Sequence, residues 1–265
     1  GLALLGVESD WQTGKVKVDN DANARLEVLK LVQVRGDSLL LLQNALKKTA
    51  KAGDVKQLVK DLQSLRSYVE FGKVFAESVA TEKALSKIEE VLGVATKLQE
   101  IWKLQALWEE LVEKAEVLSN NVLAKNLTVC EVEAEEALCK LMAKGELSVI
   151  VYNVVAWIYQ SEWQNEEYLQ LESTVRCRLQ DWQDALGEAK ASEEKLVLLN
   201  NIQCLAKSLN GKAMTKLADA KKKERRKVAE AVEKEHAINF VQNLYKNSNS
   251  RVLNRDTDVV IGYLL

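Results

Sequence analysis

His236 is the only histidine in this 265-residue sequence, and histidine is the side chain that most often performs acid–base chemistry near neutral pH. It is the last residue of the charged segment 233–236, late in a predicted helix, and this position is typical of a solvated helix surface. A catalytic triad or dyad would have to use this residue. The sequence contains neither a G-x-S-x-G motif nor a cysteine-centred catalytic signature. We therefore predict that the protein is not an enzyme and has no catalytic residues.

The cysteines are spaced unlike those of the usual zinc and redox motifs. They are Cys130, Cys139, Cys177 and Cys204, and no two form a C-x-x-C pair. Without a second histidine, and without the glycine-rich motifs that hold nucleotide phosphates, we expect neither a metal nor a cofactor. We interpret the cysteines as reduced, mostly buried thiols of a cytoplasmic protein.

Two groups of glutamates leave a carboxylate metal site as an alternative. One group occupies a predicted helix start and the other lies within a predicted helix: Glu131, Glu133, Glu135 and Glu136, and Glu109, Glu110, Glu113 and Glu116. Negative charge in the first turn of a helix complements the helix dipole. A solvated face is therefore our interpretation, rather than a di-metal site.

The strongest local charge lies in the last long predicted helix. Residues 212–234 include nine basic and four acidic residues, whereas residues 109–146 include nine acidic and four basic ones. At about 100° per residue, five lysines fall within about 60° of one another. With a neighbouring arginine they are the candidate anion-binding or nucleic-acid-binding residues: Lys212, Lys216, Lys223, Lys227, Lys234 and Arg226. This basic stripe is a solvated face, a match for the acidic helices, or a surface for phosphate groups or anionic lipid.

Two segments in this half of the sequence resemble known families. Residues 182–185 (WQDA) with 193–196 (EEKL) resemble the middle helix of sorting-nexin BAR domains. That resemblance implies a dimeric module at a membrane surface. Residues 202–228 are similar to the long amino-terminal helix of the helical coronavirus polymerase cofactor. That resemblance implies contacts between the lysines and an RNA backbone.

Composition and periodicity predict an all-α protein. The sequence has 47% hydrophobic residues, a net charge of -2 and no proline, which excludes a disordered chain and a general binder of polyanions. Apolar residues at three- and four-residue spacing predict a multi-helix bundle of eight to ten helices, with a break at Gly145. We also expect a possible short β element near the N-terminus, at 15–18, and a β-prone C-terminal tail at 258–265.

The predicted elements divide the chain into four segments. These are an ambiguous N-terminal segment (1–36), a helical subdomain that Asp37 begins as a cap (37–119), a second helical subdomain (120–246) and a C-terminal tail (247–265). The six tryptophans are predicted to pack in the core, with an exposed partner anchor as the alternative: Trp11, Trp102, Trp108, Trp157, Trp163 and Trp182.

No segment predicts insertion into a membrane. The longest apolar run, 149–159, is shorter than the roughly 20 residues that a membrane-crossing helix needs. The first residues lack a basic region, so we do not expect an intact signal peptide.

These patterns predict a non-enzymatic helical interaction or scaffold module that mediates protein–protein contacts. The first alternative is a nucleic-acid-binding accessory factor that uses the basic stripe, and the second is a membrane-surface, BAR-like module. A protein partner is expected, a nucleic acid or anionic membrane surface is a possible partner, and an oligomer is possible.

Overall fold

The structure, a computed structural model, describes residues 16–17, 24–114, 122–161, 163, 171–210 and 212–265. These residues form nine helices and one short pair of parallel strands. The elements are β1 (Val16–Lys17), α1 (Ala24–Ala45), α2 (Ala52–Lys73), α3 (Val79–Glu113), α4 (Val122–Ala143), α5 (Glu146–Gln160), α6 (Leu171–Glu188), α7 (Ser192–Ser208), β2 (Leu209–Asn210), α8 (Lys212–Lys246) and α9 (Arg251–Leu264). The predicted all-α bundle of eight to ten helices is confirmed, and the β pair is a minor addition.

The helix α2 lies at the centre of the main hydrophobic core. It packs against α1, α3 and α7, while α5 packs against α1 and α3. Tyr68 and Phe71 of α2 have no exposed surface, and apolar side chains of the surrounding helices complete the same cluster. A smaller cluster, which includes Trp108, Leu127 and Leu253, joins α3, α4, α8 and α9. Burial of these apolar faces provides the main driving force for folding.

The prediction that a helix begins at Asp37 is wrong. α1 begins at Ala24 and continues through Gly36 and Asp37, so the predicted boundary at 36/37 falls inside a helix. A Cβ atom on Gly36 would lie 2.8 Å from Val151 Cγ1 of α5. The glycine therefore permits close contact between two helices instead of ending one.

The prediction of a β-prone tail at 258–265 is also wrong. These residues belong to α9, whose N-cap Ser250 accepts a hydrogen bond from the Leu253 amide at 3.2 Å. Leu253, Thr257 and Val260 are buried at three- and four-residue spacing. Packing against α8 therefore outweighs the strand propensity of the β-branched residues. The division into two helical subdomains stays a prediction.

Gly145 separates two helices, as predicted, with a positive φ of 77° between α4 and α5. In the described residues no single helix is long and apolar enough to cross a membrane. The pair α4 and α5 meets those criteria together, by length and composition, with a bend of 49° between them.

The tryptophans described by the structure pack as predicted. Trp108, Trp157, Trp163 and Trp182 are buried and Trp102 is half-buried. Trp11 lies outside the described residues.

Candidate functional site

The predicted basic stripe forms an exposed face of α8. Lys216, Lys223, Lys227 and Lys234 are exposed, and the side chain of Arg226 is 81% exposed. The side chain of Lys212 lies outside those that the structure describes. Arg226 pairs with Glu230 of the same helix at 2.9 Å. None of the four exposed lysines forms an ion pair with a described residue, so pairing with the acidic helices does not account for the stripe.

A second basic site, which the sequence did not reveal, lies between α1, α2, α7 and α8. It is a cavity of about 350 Å³, and each of the four helices contributes one cation: Arg35, Lys60, Lys207 and Arg225. The remaining described lining residues are Gln63, Ser64, Asn200, Gln203, Cys204 and Ser208. We call this site the basic cavity.

Helical spacing brings these residues to one face of each helix. On α2 the lining residues recur three and four positions apart, and on α7 they continue this pattern for two turns: Lys60, Gln63 and Ser64, and Asn200, Gln203, Cys204, Lys207 and Ser208. Residues at these spacings are neighbours on a helix surface. A polar stripe on a helix that also contributes to the core is the sequence signal that could have indicated the site.

Asp61 holds Arg35 at the cavity wall. This carboxylate has no exposed surface, and it accepts hydrogen bonds from Arg35 Nη1 at 3.1 Å, Gln57 Nε2 at 2.9 Å and Ser38 Oγ at 2.5 Å. Burial by itself would lower the pKa of Arg35, but the pKa is raised above its ordinary value, and the adjacent Asp61 carboxylate contributes to the rise. Arg35 is therefore a fixed, permanently charged member of the site.

The other three cations have no carboxylate partner among the described residues. Arg225 Nη1 donates to Asn200 Oδ1 at 3.3 Å, and Arg225 Nε is buried without a hydrogen-bond partner among the described residues. Burial lowers the pKa of Lys207, and the neighbouring charges of Arg225, Lys222 and Lys60 lower it further. The basic cavity therefore concentrates positive charge that the described protein groups do not balance.

Neutral hydrogen bonds hold Ser208, a lining residue of the cavity, in place. Tyr68 Oη and Ser208 Oγ lie 2.6 Å apart, and Ser208 Oγ donates to the Cys204 carbonyl at 2.8 Å. Because the serine proton is used in that second bond, Tyr68 is the donor in the first. Burial raises the pKa of Tyr68 well above its ordinary range, so the phenol stays neutral.

His236 differs from its prediction as a solvated surface residue. Its Nδ1 atom lies 2.9 Å from Glu100 Oε1, and its Nε2 atom contacts Glu193 Oε1. The hydrogen bond to Glu193 is the largest cause of a raised His236 pKa, burial opposes it, and Glu100 adds to the rise. The residue therefore links three helices, α3, α7 and α8.

The cysteines and the acidic groups form no ligand cluster in the described chain. All four cysteines are unpaired, as the spacing predicted. The prediction that they are mostly buried is wrong, because Cys177 is exposed and the other three are half-buried. Glu131 accepts hydrogen bonds from Trp102 and Gln105, and Glu135 accepts one from the Ala50 amide. Within the described residues, no three His, Cys, Asp or Glu side chains are arranged to hold a metal ion.

The chain is similar to known proteins in its structure. No family model matches the sequence, and no curated protein matches it. The crystal structure of the CHAD domain from the plant Ricinus communis matches with a TM-score of 0.68 at 12% identity, covering 94% of this chain and 88% of that chain. The chain has the fold of a CHAD domain. PptA from Streptomyces chartreusis is also similar, with a TM-score of 0.66 at 10% identity, covering 92% of this chain and 94% of that chain.

Proposed function

We propose that this helical domain is a non-enzymatic binding module and that its ligand is a phosphate-bearing anion held in the basic cavity. The proposal is carried by the convergence of four cations from four helices: Arg35, Lys60, Lys207 and Arg225. Like charges in one site repel each other, and a multivalent anion between them would remove that cost. Phosphate fits because arginine and lysine are its usual protein partners.

The lining of the cavity favours binding over turnover. Ser64, Cys204 and Ser208 could in principle act as nucleophiles, but no described lining residue is a histidine or a carboxylate that could accept a proton. We therefore expect a bound phosphate compound to be released unchanged. Ion chromatography of pyrophosphate after incubation with the protein tests this expectation, and hydrolysis at a rate proportional to protein concentration would contradict it.

Calorimetric titration with pyrophosphate tests the location of the site. The double variant Lys60→Gln/Lys207→Gln removes two cavity cations, and Lys216→Gln/Lys227→Gln removes two exposed cations from the basic stripe. We expect the cavity variant to bind at least about 10-fold more weakly, and the stripe variant to change affinity by less than about 2-fold. A wild-type protein that does not bind pyrophosphate would contradict the proposal. Loss of binding in the stripe variant alone would move the site to α8.

The stability of the ligand-free protein provides an independent measurement. The lowered pKa of Lys207 means that the folded state disfavours its charge. The variant Lys207→Gln should therefore melt at a higher temperature than the wild type without anion, and it should gain less stability when pyrophosphate is added. A lower melting temperature in the absence of anion would contradict charge crowding in the site.

A protein–protein role, the function predicted from the sequence, is the second candidate. It is favoured by exposed apolar side chains along one face of α5, namely Val149, Tyr152 and Tyr159. Tyrosine is enriched at protein interfaces. Photo-crosslinking from position 152 tests this role, with Glu133 on the exposed face of α4 as the control position. Equal crosslinking from both positions would argue against a specific interface on α5.

The nucleic-acid and membrane-surface alternatives stay predictions that depend on the basic stripe. Both require affinity that falls in the Lys216→Gln/Lys227→Gln variant and decreases with salt. The cytoplasmic location predicted from the unpaired cysteines also stays a prediction.

A further inference from the structure

Gln203 has a fixed orientation in the wall of the basic cavity. The residue is 4% exposed, and its Nε2 atom donates to the Ala218 carbonyl of α8 at 3.3 Å. A rotated amide would place the Gln203 oxygen against that carbonyl oxygen, and two acceptors repel each other. The bond to Ala218 therefore decides which end of the amide points away from α8.

The Oε1 atom of Gln203 is the end that remains available to a ligand. Within the described part of the chain it accepts no hydrogen bond, and the residue lines the cavity. An amide oxygen accepts hydrogen bonds and donates none, and ionised phosphate oxygens do the same. A ligand made only of ionised phosphate offers no donor to this acceptor, whereas a ligand with a hydroxyl group does.

Asn200 supplies the complementary group one helical turn away. Its Oδ1 atom accepts from Arg225, so its Nδ2 atom is the end that can donate to a ligand. Residues 200 and 203 are three positions apart on α7 and are therefore neighbours on its surface. A hydroxyl group both donates and accepts, so one or two hydroxyls match this acceptor and donor.

The described lining of the cavity offers no stacking surface to a nucleobase. None of the described lining residues is aromatic. Aromatic side chains are the usual platforms for bases, so the lining favours a ligand whose non-phosphate part is a polyol rather than a nucleoside.

We infer that the ligand of the basic cavity is a phosphorylated polyol, with at least two phosphate groups on the four cations and free hydroxyl groups at Gln203 and Asn200. This inference rests on the proposed anion-binding function and specifies its ligand class. Two phosphates are needed because three cavity cations have no described carboxylate partner: Lys60, Lys207 and Arg225.

Two bisphosphates with six carbons each test the inference. Fructose 1,6-bisphosphate carries hydroxyl groups, and hexane-1,6-diol bisphosphate carries the same two phosphomonoesters without them. We expect the wild type to bind the sugar bisphosphate about 5- to 100-fold more tightly, because only this ligand supplies a donor to Gln203. In Gln203→Met the two affinities should differ by less than about 2-fold. The control Gln180→Met, on the exposed face of α6, should keep the wild-type ratio.

The outcomes separate this inference from the proposed function. If neither bisphosphate nor pyrophosphate binds, the proposed function itself is wrong. If pyrophosphate binds but the wild type does not prefer the sugar bisphosphate over the diol bisphosphate, the function stands and the polyol inference is overturned. This comparison uses the wild-type protein, so it remains decisive even if Gln203→Met does not fold. A preference that persists unchanged in folded Gln203→Met would also overturn the inference.

Discussion

Arg35 and Asp61 form a charged pair whose Nη1 and Oδ1 atoms are 3.1 Å apart at the wall of the basic cavity. The carboxylate is completely buried, while the arginine side chain keeps some exposed surface on the cavity side. Two further donors, Ser38 and Gln57, satisfy the same carboxylate. A buried charge with a full set of partners stabilises a defined geometry, here that of a cavity cation.

Removal of this carboxylate should be strongly destabilising. We expect Asp61→Ala to lower the free energy of unfolding by about 3–5 kcal/mol, because three donors, one of them the positively charged Arg35, lose their partner. Urea denaturation measures the change. The control is Asp181→Ala, which removes an exposed partner of Arg178 and should cost less than about 1 kcal/mol. Equal losses in the two variants would show that Asp61 has no special role.

The sequence predicts the helices of this protein but not its basic cavity. Helices follow from the local spacing of apolar residues, which can be recognised within each segment of the sequence by itself. The cavity depends on Arg35, Lys60, Lys207 and Arg225, which are distant in sequence and meet only through packing of four helices. A net charge of -2 also conceals the site, because acidic residues elsewhere balance its charge.

The predicted helix boundaries were wrong where a residue makes a contact between helices. The sequence predicts that the ambiguous segment ends at position 36, because Asp37 is a plausible N-cap. In the structure Gly36 lies inside α1 against Val151, a contact that no local pattern reveals. The prediction for residues 258–265 was wrong for a similar reason, because β-branched residues favour strands unless packing stabilises a helix.

Substitution of Gly36 should therefore destabilise the protein through the contact between α1 and α5. In Gly36→Ala the new methyl group would lie 2.8 Å from Val151 Cγ1, and we expect a loss of about 1–3 kcal/mol in thermal or urea unfolding. The double variant Gly36→Ala/Val151→Ala should recover part of the loss. Gly93→Ala, inside α3 with no atom within 4 Å of the new methyl group, should instead stabilise by about 0.5–1 kcal/mol. A destabilised Gly93→Ala would contradict this explanation.

The hydrogen bond between Tyr68 and Ser208 should be measurable by a double-mutant cycle. We expect Ser208→Ala to cost about 1–3 kcal/mol, because it leaves a buried phenol without its partner. Tyr68→Phe should cost about 1 kcal/mol, and the double variant should cost less than the sum of the two. The coupling should be about 1 kcal/mol in urea unfolding. Strict additivity would mean that the 2.6 Å contact contributes nothing to stability.

The contact of His236 with Glu100 and Glu193 should make stability depend on pH. The raised pKa of His236 means that the folded protein holds the imidazolium proton more tightly than the unfolded chain does. The stabilisation is complete below the ordinary histidine pKa of about 6.5, and it is lost as the pH rises through the raised value. Burial also raises the pKa of Glu100, so the measurement should stay above the ordinary titration range of glutamate.

Urea unfolding of the wild type and of His236→Gln at several pH values tests this dependence. We expect the free energy of unfolding of the wild type to exceed that of the variant by about 0.5 kcal/mol near pH 6, and the two to be equal near pH 9. The effect is small because the histidine side chain is 38% exposed and solvent screens its charge. Lys103 and Glu233 form a neighbouring exposed pair at 2.7 Å. The control Lys103→Gln breaks this pair and leaves both imidazole contacts in place, so it should keep most of the pH dependence of the wild type. A difference between wild type and His236→Gln that is constant across this range would show that the imidazole contributes through packing rather than through its charge.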